Sequence, residues 1–286
     1  MMRLTEPQYS FEQSLIECIA GITGNAALRE KVTISRPNLI EGAAHYLAAA
    51  AAGKLYAIAP INAAQGQDPR VVNDLTKSEL IKIYDQYFVP PEKPARKIYN
   101  ELLNSAKEKC PFCGGIGTPR NLDHFLPKAH FPQFSFAPQN LVPACRDCNM
   151  NGKMEAYATT PEAQFIHPYS DSSIFFQEQW IFAKYHVQAH DVPGHFEYAV
   201  LPPGGWNEID KRRVKKHFLD FDLGKRYSIK AAELLGTILQ QISRLQNSGM
   251  GNETISAVLI QPGIEKAPFI NHWQTGMFQS LKDVLQ

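Results

Sequence analysis

Over the first hundred or so residues, hydrophobic positions recur every three or four places, which predicts helices. Phe11, Leu15, Ile16, Ile19 and Ile22 share one face of a first helix, and Gly24-Asn25 ends the pattern. Pro37 marks the start of a second helix, with a stripe of Leu39, Ile40, Ala43, Ala44, Leu47 and Ala48 that weakens at Gly53. Residues 59–75 carry proline, glycine and asparagine without period and read as a loop. Thr76-x-x-Glu79 is the pattern of a capping box. It opens a helix with Leu80, Ile83, Tyr84 and Tyr87 on one side, ended by Pro90, Pro91 and Pro94. Another helix, over 95–107, leads to Cys110.

Beyond Cys110 the period changes. Residues 121–127 read as a short strand that Pro127 must end, and residues 140–144 as a second strand. A helix over 147–153 follows, so the order is strand, loop, strand, helix. Residues 180–187 and 195–201 alternate as a strand pair, with Asp191-Val192-Pro193-Gly194 as the turn. Helices are expected over 208–218 and 225–246, the second with Ile229, Ala232, Leu235, Leu239, Ile242 and Leu245 in one stripe. Ser248-Gly249-Met250-Gly251 breaks it, and a last helix is expected over 268–285. Such stripes complete a core more often than they bind a partner. No internal repeat or low-complexity tract is present, and the class is α+β, mostly helical.

Composition narrows the class of function. The chain has 286 residues, 44% hydrophobic and 20% charged, as in ordinary globular proteins, and is long enough for more than one domain. Its net charge of +1 means that any nucleic-acid surface is local. The longest apolar run, residues 43–52, is too short to span a bilayer, and the first residues lack a secretory signal. The expectation is a cytoplasmic protein with no membrane partner. Four of the five cysteines form Cys110-x-x-Cys113 and Cys145-x-x-Cys148, the spacing of a four-thiolate zinc site. With Cys18 left over, metal binding in a reducing compartment fits better than disulfides. His45 has no partner at metal-ligand spacing and reads as a surface or packed histidine.

Asp123-His124, Asn140-Leu141 and Asn149 stand within or just after this cysteine bracket. Consecutive helical side chains diverge by roughly 100°, so Cys148 can face a metal while Asn149 faces the first strand. Strand neighbours point to opposite faces, so Asp123 and His124 serve one site only if the backbone turns there. Taken together, Cys-x-x-Cys, Asp-His-x-x-Pro-Lys and Asn-Leu-x-Pro-x-Cys-x-x-Cys-Asn, with a closing lysine, resemble the HNH endonuclease family over residues 110–153. The resemblance implies a zinc-stapled ββα-metal nuclease core at 106–160, a helical region at 1–105 and an α+β extension at 161–286. It also implies that His124 is the general base and that Asp123 and Asn149 hold a catalytic divalent ion. Asn140 would shape the loop and help to position the base, and Cys110, Cys113, Cys145 and Cys148 would bind structural Zn²⁺.

An asparagine in the third position makes this an H-N-N variant, and an amide oxygen suits Mg²⁺ or Mn²⁺ better than Zn²⁺. The family's lysine usually comes one residue sooner than Lys153 does, with Asn151 standing beside the shift. The activity implied is metal-dependent hydrolysis of DNA, leaving 5′-phosphate and 3′-hydroxyl ends. Its implied setting is a bacterial restriction or phage-defence system, with a protein partner or a second copy. Related bacterial HNH proteins also carry a His-Pro-Tyr (here 167–169), a strand pair and a basic helix after the core.

Between Lys107 and Lys153 there are six basic residues against three acidic ones, which favours a polyanion. Arg120, Lys128 and Lys153 are the candidate phosphate contacts there, while His130 reads as a solvated loop histidine. Lys215 and Lys216, in the basic cluster 211–217, either grip DNA or form a solvated helix face. Two Cys-x-x-Cys pairs alone also make zinc ribbons, so the alternative is a non-catalytic zinc-stabilised nucleic-acid-binding module.

Overall fold

The structure, a computed structural model, describes residues 1–62, 64, 66–153, 155–187 and 194–285. It is a mixed α+β chain, mostly helical, with three small two-stranded antiparallel sheets among the described residues. Two compact units divide it: Arg3–Pro111 with Gly117–Asp171, and Ser172–Gln286 with Met1–Met2 and Phe112–Ile116.

In the first unit, α1 (Phe11–Gly21) starts from a capping box in which Ser10 and Gln13 satisfy each other's backbone N–H groups. Helix α2 (Ala26–Ala51) begins eleven residues before Pro37 and runs through it. The start signal is Asn25, whose side chain accepts from the Leu28 amide at 3.1 Å. Proline inside a helix costs about 3 kcal/mol. Burial offsets that cost, since Leu28, Val32, Ser35, Leu39, Ala43, Tyr46 and Ala50 form one buried stripe on both sides of the proline. The stripe expected from the alanine-rich stretch was partly misplaced, and Leu47 is exposed.

Within the stretch read as a loop, β1 (Arg70–Val72) and β2 (Leu75–Thr76) pair around Asn73, which turns the chain at φ 51°. The hairpin is too short to show alternation. Thr76 then caps α3 (Lys77–Lys82) through the expected box with Glu79. The helix continues as a wide-turn π segment, Ile83–Phe88, and α4 (Arg96–Ser105) follows. Strands β3 (Asn121–His124) and β4 (Leu141–Ala144) pair antiparallel, with His124 opposite Leu141 and Asn121 opposite Ala144. A second wide-turn segment, Asp147–Lys153, completes the expected strand–loop–strand–helix order.

In the second unit, a short α5 (Ile174–Gln177) precedes β5 (Ile181–His186) and β6 (His195–Val200), paired from Ile181–Val200 to His186–His195. Their expected turn lies, apart from Gly194, outside the described residues. Asn207 caps α6 (Glu208–Asp220), and α7 (Leu223–Asn247) packs on β6. The buried face of α7 is Tyr227, Ala231, Leu235, Ile238 and Ile242, with Ile229 exposed. The predicted stripe thus shared only Leu235 and Ile242 with the true one. Tyr227, Ala231 and Ile238 complete the buried face. Two further helices, α8 (Asn252–Ile255) and α9 (Gln261–Glu265), joined by the π segment Ser256–Ile260, occupy a stretch without an expected element. The last helix, α10 (Trp273–Leu285), starts five residues later than expected and packs on β5. No helix among the described residues is long and apolar enough to cross a membrane.

Candidate functional site

Cys110, Cys113, Cys145 and Cys148 are buried, and their four sulfurs all lie within 4.8 Å of one another. The first pair is shaped by a turn in which Gly114 and Gly115 take φ of 64° and 87°, while the Cys110 amide donates to Gly117 O at 2.9 Å. A side chain on Gly114 would also meet Tyr227 Oη at 2.6 Å, so both the φ and the space call for glycine. Cys145 follows the last residue of β4, and Cys148 lies on the wide-turn segment, whose Asn149 amide donates to Cys145 O at 3.0 Å. A tetrahedral zinc with bonds of about 2.3 Å needs sulfurs about 3.8 Å apart, and four sulfurs within 4.8 Å of one another could hold such an ion. Sulfur is also the donor that Zn²⁺ prefers.

Asp123 and His124 close β3, with 6% and 8% of their surfaces exposed. The register of β3 runs unbroken through both, without the backbone turn between them that a shared face would need, and their side chains take different partners. Asp123 Oδ2 lies 3.3 Å from Lys153 Nζ without forming a hydrogen bond. The ammonium of Lys153, itself 1% exposed, donates instead to the His124 carbonyl at 2.5 Å. Burial raises the pKa of Asp123 and lowers that of Lys153, and each charge opposes the other's shift.

His124 Nε2 lies 2.8 Å from Ser135 O, and a carbonyl can only accept, so the proton sits on Nε2. Nδ1 then carries the basic lone pair, and no hydrogen bond occupies it among the described residues. Burial first, and the cations of Lys128 and Lys153 next, push the imidazole down to about 3, so it is neutral at pH 7. Tyr84 covers it edge-on at 4.5 Å between ring centroids and also lies within the field of Asp123. Lys128 stands over the Tyr84 ring at 5.1 Å and pairs with Asp85 at 2.5 Å.

Asn140 is fully buried and uses its whole amide. Oδ1 accepts from the Leu126 amide at 2.7 Å, and Nδ2 donates to Leu126 O at 3.0 Å and Phe134 O at 3.1 Å. It therefore cinches both ends of the loop between β3 and β4. Ser135 Oγ ties that loop to Leu80 O at 3.0 Å, and Ser14 Oγ reaches Phe136 O at 2.7 Å.

Of the residues expected to form a site, Lys153 touches both the Asp123 carboxylate and the His124 carbonyl, while Asn140 bonds Leu126 and Phe134 in the loop that follows β3. Asn149 is half-buried on the same wide-turn segment as Lys153. The expected phosphate contact by Lys153 is replaced by an internal one, because an ammonium with 1% exposure faces no solvent. Arg120 is exposed and Lys128 half-buried. On α6, Lys215 is exposed, and Lys216 pairs with Asp220 at 2.6 Å. The basic cluster is only partly a surface: Arg213 is buried against the Phe175 ring, and His217 is buried with Nε2 on Phe112 O at 2.9 Å. His45 is exposed. Tyr84, Ser135, Tyr46 and His167 were not singled out by sequence for this site. Tyr84 stood only as part of an apolar stripe, and His167 only within its His-Pro-Tyr.

No family model matches the chain, and no solved structure matches it. It is 34% identical over 291 residues to protein Ea31 of Escherichia phage lambda, an alignment that covers 98% of this chain and 97% of that protein.

Two outcomes follow from the geometry. Replacing Cys145 by Ala should remove bound zinc, measured by elemental analysis, and lower the melting temperature, because structural metal binding is folding free energy. Equal zinc content and equal melting in that variant would count against a metal at the cluster. Lys153→Met should cost about 3 kcal/mol in urea unfolding by stranding a buried carboxylate. Adding Asp123→Asn to it should recover part of that loss, and strictly additive losses would mean that the two charges do not stabilise each other.

Proposed function

This chain belongs to the Ea31 family, and we propose that it is a metal-dependent DNA endonuclease of the HNH type. The observation that carries the reading is His124, neutral and with its proton held on Nε2 by Ser135 O, beside Asp123 at the end of a hairpin bracketed by four clustered cysteines. In this reading Nδ1 takes the proton of a water as its oxygen attacks phosphorus, the bond to the 3′ oxygen breaks, and the departing alkoxide takes a proton from solvent. Products with 5′-phosphate and 3′-hydroxyl ends are expected. Asn140 keeps the loop closed, and zinc at the four cysteines would hold β3 and β4 to the segment that bears Asn149.

The catalytic cation is tested by the donors present. Asp123 Oδ2 is a buried oxygen without a hydrogen bond, a hard donor of the kind that Mg²⁺ or Mn²⁺ takes, and the amide oxygen of Asn149 would be a second. Such an ion, held by Asp123 and Asn149, would supply Lewis-acid polarisation of the phosphate oxygens. Lys153 already neutralises Asp123, so the ion must compete with an ammonium 3.3 Å away.

Tyr84 packs edge-on against His124, so in this reading it moves aside as DNA binds. The Lys128–Asp85 pair beside Tyr84 is partly exposed, with 33% and 47% of the side chains accessible, and solvent-accessible pairs contribute about 1 kcal/mol or less. A backbone phosphate can therefore take the place of Asp85 on Lys128.

The burial of His124 and Asp123 favours one other reading, a zinc-stabilised nucleic-acid-binding module without catalysis.

His124→Ala should keep its fold and DNA binding and lose at least about a hundredfold in plasmid nicking, the lower end of general-base catalysis. EDTA should abolish nicking by the wild type, and nicking that survives either change removes His124 or the cation from its role. Asp85→Asn should tighten DNA binding several-fold in fluorescence anisotropy by releasing Lys128, and unchanged affinity would take Lys128 out of the phosphate path.

A further inference from the structure

Asn140 is gripped from outside the hairpin by α2 and by the turn at His167. Tyr46, 1% exposed on α2, has its hydroxyl 3.2 Å from Asn140 Oδ1 and 3.3 Å from His167 Nε2, with Gln139 O a longer alternative at 3.5 Å. A tyrosine hydroxyl has one proton, so the direction of these bonds must be settled. The Tyr169 amide donates to His167 Nδ1 at 3.3 Å, which leaves Nδ1 without a proton. A neutral His167 then carries its proton on Nε2 and donates it to Tyr46 Oη. The Tyr46 proton is thereby directed onto Asn140 Oδ1. The backbone of His167 is itself fixed, since its amide donates to Asp171 Oδ2 at 2.6 Å.

Polarity is the point of this chain. Two donors, Tyr46 O–H and Leu126 N–H, converge on Oδ1, so a flipped Asn140 amide would set its own NH₂ against both. The unflipped amide donates to Leu126 O and to Phe134 O, next to the Ser135 carbonyl that holds His124. We propose that Tyr46 and His167 are positioning residues for the nuclease reaction: they lock the Asn140 amide in one orientation and through it the loop that aims His124. The inference rests on the reading of His124 as the base.

Tyr46→Phe keeps the ring against Phe134, whose centroid lies 5.0 Å away, and removes only the hydroxyl. In the full-length protein this variant should raise amide exchange at Phe125 and Leu126 and lower kcat, each about five- to tenfold, the value of one hydrogen bond. KM should stay unchanged. His167→Ala should do the same, and His167→Gln, which retains an N–H donor, should restore most of both.

Wild-type exchange and wild-type kcat in Tyr46→Phe and His167→Ala would overturn the inference while leaving the nuclease reading intact. Lowered stability with kcat intact would also overturn it, since a merely structural contact gives that result. A wild-type protein that cuts no DNA, but whose Leu126 amide loosens in Tyr46→Phe, would sink the nuclease reading and uphold the lock on Asn140.

Discussion

Two short chain segments far apart in sequence must meet for Cys110, Cys113, Cys145 and Cys148 to bring their sulfurs within 4.8 Å of one another. Closing a loop of this length costs about 3–4 kcal/mol of chain entropy. A structural zinc supplies about 10 kcal/mol or more, so the closure is affordable only with an ion of that kind or with strong packing inside the loop. Inside it lie Asp123, His124, Lys128, Ser135 and Asn140, which is why the candidate chemistry and the cysteine cluster stand or fall together. The loop is anchored from outside as well. Ser14, Tyr46 and Leu80 each bond a residue between β3 and β4, so the helices of the first unit do more than enclose a core.

What the sequence disclosed was what depends on neighbours along the chain. Thr76 and Glu79 form a capping box within four residues, and β3, β4 and the segment at 147–153 each announce themselves by local pattern. What stayed hidden depends on partners distant in sequence. Pro37 signals a helix start by its own chemistry, and only the burial of Val32 and Ser35 before it and Leu39 after it carries α2 through. The hairpin of β1 and β2 is set by the turn at Asn73 and is too short for alternation to register.

The site divides in the same way. Asp123, His124 and Asn140 were legible as residues in a motif, but their contacts were not. Tyr84 meets His124 because α3 continues into the wide-turn segment Ile83–Phe88, and no local rule places that ring on that imidazole. The same holds for Tyr46, which the expected stripe on α2 left out and whose hydroxyl meets Asn140.

Lys153 shows what a wide turn does to the direction of a side chain. An α-helix advances roughly 100° per residue, so moving a side chain one place along the helix turns it to a different face. A wide turn, closing i to i+5, takes up one residue more per turn and returns the later side chain toward the face it would have left. The segment Asp147–Lys153 is such a turn, and its last residue reaches both Asp123 and the His124 carbonyl. A lysine buried to this degree is tolerated only when paired. The wide turn and the ion pair are therefore coupled: straightening the helix would swing the ammonium off Asp123 and the His124 carbonyl, and neutralising Asp123 would leave a buried charge held by that carbonyl alone.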